Sequence, residues 1–310
     1  MNKNSIKILF IILIVIIAVF IVIWIKKINT NGTTKIVGVD DFLPFKNNSS
    51  IITSTDSTLQ LNENLPIIHA TTTFYPLFSA IVQSTYNQDE YNNELQLVST
   101  QQAINDIKDG SANIIVATMP SNEQLDSLEN CNLEFVKIGK EPLILYVNKD
   151  NPINNLTIDD ITNIYNGNIN NWSKLGGKNQ KITTYQLEDG NSSQTCFNNI
   201  FHNNITDKFH KKATDMCDII IQAANNKNSI GYAFNSFYSL MCNSENLKLL
   251  NVQDIAPTQQ NFENNTYPLL FDVYFIYNKD VQNENINKLL DWILSEQGQS
   301  LIKDMGYIQI

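Results

Sequence analysis

The chain has 310 residues, 21 basic and 31 acidic, for a net charge of −10. Every basic residue is Lys, so no side chain offers the planar fork that grips carboxylate or phosphate through two parallel hydrogen bonds. Apolar residues at 43% are enough for a real core and exclude wholesale disorder, while an acidic chain without a Lys-rich stripe argues against nucleic acid as a partner.

Residues Ile8 to Ile25 are 18 apolar residues in a row, flanked by Lys3 and Lys7 before and Lys26 and Lys27 after. A run of about 18 or more uncharged residues can cross a bilayer as a helix. The exit Val22-Ile23-Trp24-Ile25 lacks the small residues of a cleavage site. The expectation is an uncleaved, single-pass N-terminal anchor over residues 1–30, with an extracytoplasmic globule behind it. Residues 31–62, rich in Asn, Thr, Ser and Asp, read as a flexible stalk that cannot order itself.

Beyond Leu65 strands and helices alternate. Ile67-Ile68-His69-Ala70 is a short strand running into Thr71-Thr72-Thr73, and Pro76 opens a helix with Leu77, Ile81 and Val82 on one face. Leu95 and Leu97 mark a strand that leads through Ser99-Thr100 into a helix closed by Gly110. Ile114 to Ala117 is a buried strand, and Ser121-x-x-Gln124 is a capping box. Strands follow at Leu143–Val147, Ile182–Gln186, Ile230–Phe234, Leu247–Leu250 and Phe271–Tyr277. Between and after them lie helices from Thr157 to Tyr165, from Asn191 through Phe201, over Met216–Asn225, and two closing ones. The alternation implies an α/β fold with mostly parallel sheets.

Three strand-to-helix loops, Thr71-Thr72-Thr73, Ser99-Thr100 and Asn191-Ser192-Ser193, have the composition of an anion cradle. Helix N-termini offer free N–H groups and a positive dipole end, and hydroxyls add donors without charge. Taken singly, each set also fits ordinary helix capping. His69, His202 and His210 are not at metal spacing, so no metal site is expected. His69, beside the first loop, reads either as a buried strand-end residue or as a pH-dependent cation near a ligand. Cys131, Cys196, Cys217 and Cys242 allow three disulfide pairings; Cys196 sits just inside a helix, where a dipole can lower a thiol pKa, or is a buried free Cys. No nucleophile elbow, phosphate-binding Lys loop or zinc helix motif is present, so neither an enzyme nor a cofactor is expected.

His69-Ala70-Thr71-Thr72-Thr73-Phe74-Tyr75-Pro76-Leu77 resembles the opening motif of the phosphate-binding subunits of ABC importers. The stretch from Asn151-Pro152 through Asn171-Trp172 to Gly176-Gly177 is similar to the family's most recognisable region. So are Tyr185-Gln186 to Thr195, Ile230-Gly231-Tyr232, and Trp292-Ile293-Leu294-Ser295 with Gly298-Gln299. The resemblance covers about Leu65 to Ile310. It implies a two-lobed type II periplasmic-binding-protein fold, with lobe 1 at 63–145 and 267–310 and lobe 2 at 146–266. A single continuous sheet would contradict that division. It further implies a monomer that binds a small phosphate-like anion and has an ABC permease as partner. The ligand set it suggests is Thr71, Thr72, Thr73, Ser99, Thr100, Thr118, Asn191, Ser192 and Ser193. The chain departs from the family in two charged places: Leu187 stands where Arg is usual and Thr118 where a carboxylate is common. A diverged, non-transport binding module with a weakened anion pocket is the alternative. If Leu187 aligns with that Arg, restoring it in Leu187→Arg is expected to tighten phosphate binding.

Overall fold

The computed structural model describes residues 34–46, 50–54, 56–201 and 210–310. The apolar run 8–25 and His202 lie outside the described residues, and among those described no helix is long and apolar enough to cross a membrane.

Thirteen strands are described: β1 Thr34–Ile36, β2 Ile68–Ala70, β3 Leu95–Leu97, β4 Ile114–Thr118, β5 Leu133–Asn148, β6 Asn155–Leu156, β7 Thr183–Gln186, β8 Lys211–Lys212, β9 Ser229–Phe234, β10 Cys242–Ser244, β11 Leu247–Leu249, β12 Asn251–Val252 and β13 Leu270–Asn278. Nine of them share one sheet, ordered β3-β2-β4-β13-β5-β9-β7-β8, with β11 also on β5. The flanks are parallel, as expected, through β3-β2-β4 and β9-β7-β8. The centre is antiparallel, through β4-β13, β13-β5 and β5-β9.

The hydrogen-bonded path is continuous, against the expectation of separate sheets, and the reason is β5. This 16-residue strand serves both halves. Up to Pro142 it pairs with β13, and from Leu143 onward it pairs with β9. Pro142 has no N–H to give the ladder and stands where the partners change. Further along, Tyr146 to Asn148 also pair with β11. The molecule is thus two halves hung on one shared strand, and a single apolar cluster runs through both. A smaller cluster, including Ile104, Ile107, Ile115 and Ile276, covers the other face of the first half. Ile115 and Ala117 point into it while Ile114 and Val116 point into the main core, the period-two alternation of a strand buried on both faces.

The helices begin where local chemistry dictates. The helix Tyr75–Thr85 has Pro at its start and buries every residue but Gln83. Ser121 and Gln124 form the expected capping box, as do Thr157 and Asp160. Gly110, at φ 84°, closes the helix Thr100–Asp109 in the left-handed region that glycine adopts without strain.

The expected stalk is a correction. Thr34–Ile36 pairs antiparallel with β10, and the Val37 N–H donates to the Met241 carbonyl at 2.7 Å. The chain then crosses to the first half, where Phe42 is buried and Phe45 packs on Tyr91 at 5.1 Å. Leu61 is buried and bridges to Tyr86. A polar average over residues 31–62 hides these few apolar anchors, each of which finds a partner distant in sequence.

Cys217 and Cys242 form a disulfide with Cα atoms 5.7 Å apart, while Cys131 and Cys196 are free. The bridge ties β10, and through it β1, to the helix Met216–Asn225. A closed loop of this size, with the cysteines 25 residues apart, is worth about 3 kcal/mol. Dithiothreitol should lower the unfolding free energy by about that amount. The double variant Cys217→Ala/Cys242→Ala should show no response to reductant in the same urea titration.

Candidate functional site

A cavity of about 530 Å³ opens between the two halves. Seven of the nine residues expected to bind ligand line it: Thr71, Thr72, Thr73, Ser99, Thr100, Asn191 and Ser192. The first loop follows β2 and curls so that Thr71 O accepts from the N–H groups of Phe74 and Tyr75, both at 2.9 Å. From the C-terminus, the Tyr307 hydroxyl donates to Thr73 O at 2.8 Å and pins that loop. Ser99 caps the helix Thr100–Asp109, accepting from Gln102 N–H at 3.2 Å. Asn191 caps the helix Ser192–Ile200, accepting from Ser193 N–H at 3.0 Å. Two helix N-termini therefore meet at the cleft from opposite halves.

The halves touch across it. Thr100 Oγ1 and Ser192 Oγ share a hydrogen bond at 3.1 Å, and Ser192 N–H donates to Thr100 Oγ1 at 3.3 Å. Gln124 Nε2 donates to Gly190 O at 3.0 Å. Gly190 itself sits at φ 82°, which lets the loop present its carbonyl that way. Thr71 is buried and its hydroxyl has no partner among the described residues.

The remaining two expected residues do not line the cavity. Ser193 is buried and its hydroxyl donates to Asn191 Oδ1 at 2.8 Å. Thr118 is 1% exposed at the end of β4, beside the Cys196 thiol. Burial pushes that thiol up to about 12, against partial compensation from Thr118. Of the two readings of Cys196, the buried free Cys holds, and desolvation of its thiolate is the largest cause of the raised pKa.

Leu187 is also displaced from the expectation. It is 4% exposed, within the main apolar cluster, and is not among the cavity residues. Its N–H donates to Gln194 Oε1 at 2.8 Å, and the Tyr232 hydroxyl donates to the same oxygen. His69 is buried away from the cavity, its Nδ1 2.7 Å from Asp106 Oδ2, so it ties β2 to the neighbouring helix. His210 is half-buried, stacked on Tyr165 and bonded to Thr184 at 2.7 Å.

Several lining residues were not expected. Glu188, Asp189 and Asp215 bring three carboxylates to the cavity, and no cationic side chain is among its described lining residues. The segment Ile36-Val37-Gly38-Val39 forms an apolar wall, and the Cys217–Cys242 bridge lies in the same lining. No signal in the sequence placed residues 36–39 there, since their position depends on pairing with β10. Outside the cavity lining, Glu141 on β5 is fully buried and accepts from Ser236 N–H at 2.9 Å. Burial raises its pKa to about 8, although the donors at Ser236 and Asn235 pull the other way.

This architecture has well-populated relatives. Residues 64–297 match the PBP superfamily domain. The phosphate-binding protein PstS of Borreliella burgdorferi is 24% identical over 262 residues, covering 81% of this chain and 92% of that protein. PstS of Bacillus subtilis is 26% identical over 174 residues, covering 53% of each. Among solved structures, a phosphate ABC transporter substrate-binding protein from Clostridium perfringens, with bound phosphate, superposes with a TM-score of 0.65 at 22% identity. It covers 81% of this chain and 99% of that one. An ABC-type phosphate transport receptor from Vibrio cholerae gives 0.62 at 20% identity, covering 81% and 100%. With the domain match spanning most of the chain and two halves facing one cleft across a shared strand, this chain belongs to the PBP superfamily.

Proposed function

We propose that the chain is an extracytoplasmic solute-binding protein that takes phosphate or another small oxyanion and delivers it to an ABC permease, held to the membrane by residues 8–25. The observation that carries this reading is the convergence of Thr71–Thr73, Ser99–Thr100 and Asn191–Ser192 on one cavity, with Thr100 and Ser192 hydrogen-bonded across it. Uncharged donors at two helix ends suit a desolvated oxyanion, and closing the halves around it removes competing water. Binding rather than catalysis is the activity in this reading. Only eight residues separate Ile25 from β1, a reach of at most roughly 28 Å, so an anchored domain would stand close to the bilayer.

With three carboxylates and no described cation among the cavity-lining residues, inorganic phosphate should bind weakly. Loss of one charge-assisted pair weakens binding roughly 10- to 1000-fold. Calorimetry of the full chain in detergent with phosphate and sulfate tests this. Thr100→Ala and Ser192→Ala should each weaken whichever anion binds; submicromolar, phosphate-selective binding would refute the expected weakness. A diverged binding module outside transport is the second reading, favoured by the carboxylates Glu188, Asp189 and Asp215 in the cavity.

A further inference from the structure

The cavity is large and acidic for a bare anion. An oxyanion the size of a few water molecules, about 30 Å³ each in the liquid, leaves most of the 530 Å³ unfilled. Cavities of ~300–1,000 Å³ are typical of organic ligands. Polarity is also divided: the hydroxyl loops and the two helix N-termini supply donors, whereas Glu188, Asp189 and Asp215 supply only acceptors. A free dianion would meet those three charges with no described lining cation to offset them. The carboxylates are not a metal site either, since no group of described acidic, His or Cys side chains is placed to hold an ion. Thr71 adds a polar atom without a partner on the hydroxyl side, 8% exposed and lining the cavity. Ile36, Val37 and Val39 close another side with apolar surface suited to a short carbon linker.

We propose that the solute is a free amine-bearing phosphate monoester or phosphonate. Its oxyanion rests on the hydroxyl loops, its ammonium faces Glu188, Asp189 and Asp215, and its linker lies against the 36–39 segment. The assignment rests on the oxyanion reading above and names the rest of the molecule. Glu188 and Asp189 are exposed, so each ion pair is partly screened, and two such pairs together give on the order of tenfold in affinity.

The test is calorimetric titration of the full chain in detergent with inorganic phosphate, O-phosphoethanolamine and ethanolamine. O-Phosphoethanolamine should bind about tenfold tighter than phosphate, with the advantage shrinking as salt rises. The double variant Glu188→Gln/Asp189→Asn should remove that advantage, and an advantage that survives it would overturn the assignment. Phosphate binding as tightly as the amine ester would overturn this inference and leave the oxyanion reading standing. Ethanolamine binding as tightly as its phosphate ester, or no binding by either phosphate compound, would overturn both. Vesicles of phosphatidylethanolamine should not compete; competition would overturn the assignment to a free solute.

Discussion

Replacing Glu141 by Gln should stabilise the protein at alkaline pH by up to about 5 kcal/mol, with little effect below pH 4.5. The carboxyl titrates near 4.5 in the unfolded chain and at about 8 in the folded one, because burial penalises its charged form. Between those values the folded state holds a proton that the unfolded state has lost. Stability from this group is therefore fully present below pH 4.5 and is lost as pH rises through about 8. At ~1.4 kcal/mol per pH unit, the window sets the stated upper bound. Gln keeps an acceptor for the Ser236 N–H, and its amide can donate to the Ser236 hydroxyl, which has no described partner. Urea unfolding of both proteins at pH 5, 7 and 9 reads the difference directly, since other titrating groups cancel. A stability difference that stays constant over that range would show that Glu141 is ionised in the fold.

Leu187→Arg should unfold the domain rather than tighten its grip on phosphate. The family pattern points to Arg at this place, but Leu187 is packed in the main core, and its N–H is already committed to Gln194. An Arg there puts a charge inside an apolar cluster, at a cost on the order of 5 kcal/mol. That is comparable to the whole stability of many domains. Thermal denaturation should show a lost or strongly lowered transition, and anion titration should show no gain. Glu188→Lys is the informative contrast. It places a cation among the cavity-lining residues at an exposed position, so it should leave the melting transition nearly unchanged while tightening inorganic phosphate. Should Leu187→Arg fold normally and bind phosphate more tightly, the side chain would have to reach the cavity.

What could be read in the sequence was whatever is set by neighbours along the chain. Ser121 with Gln124 and Thr157 with Asp160 announce their helices because both partners of each cap lie within one turn. The hydroxyl loops were legible for the same reason, each lying between a strand signal and a helix signal. β1 and β10 were not legible: each is three residues long, and their pairing joins residues some 200 apart. The first part of β5 escaped because Gly139 and Pro142 look like an interruption; both are instead accommodated inside the strand. The acidic half of the cavity escaped because Glu188 and Asp215 meet only after two separate helices are packed. Glu141 left one trace that could have been used, a lone acid separated only by Pro142 from the apolar run Leu143–Val147.

The position of β13 has a consequence for how the molecule is made. It lies at the centre of the sheet, between β4 and β5, yet residues 270–278 are among the last of the chain. Until they arrive, the facing edges of β4 and β5 have no strand between them, and the first half lacks its middle. A chain that emerges N-terminus first can complete the pairing of β5 from Leu143 onward with β9 before β13 arrives. Such long-range closure is intrinsically slow. The strand that completes the sheet is thus supplied only after residue 270, and the fold cannot lock before it.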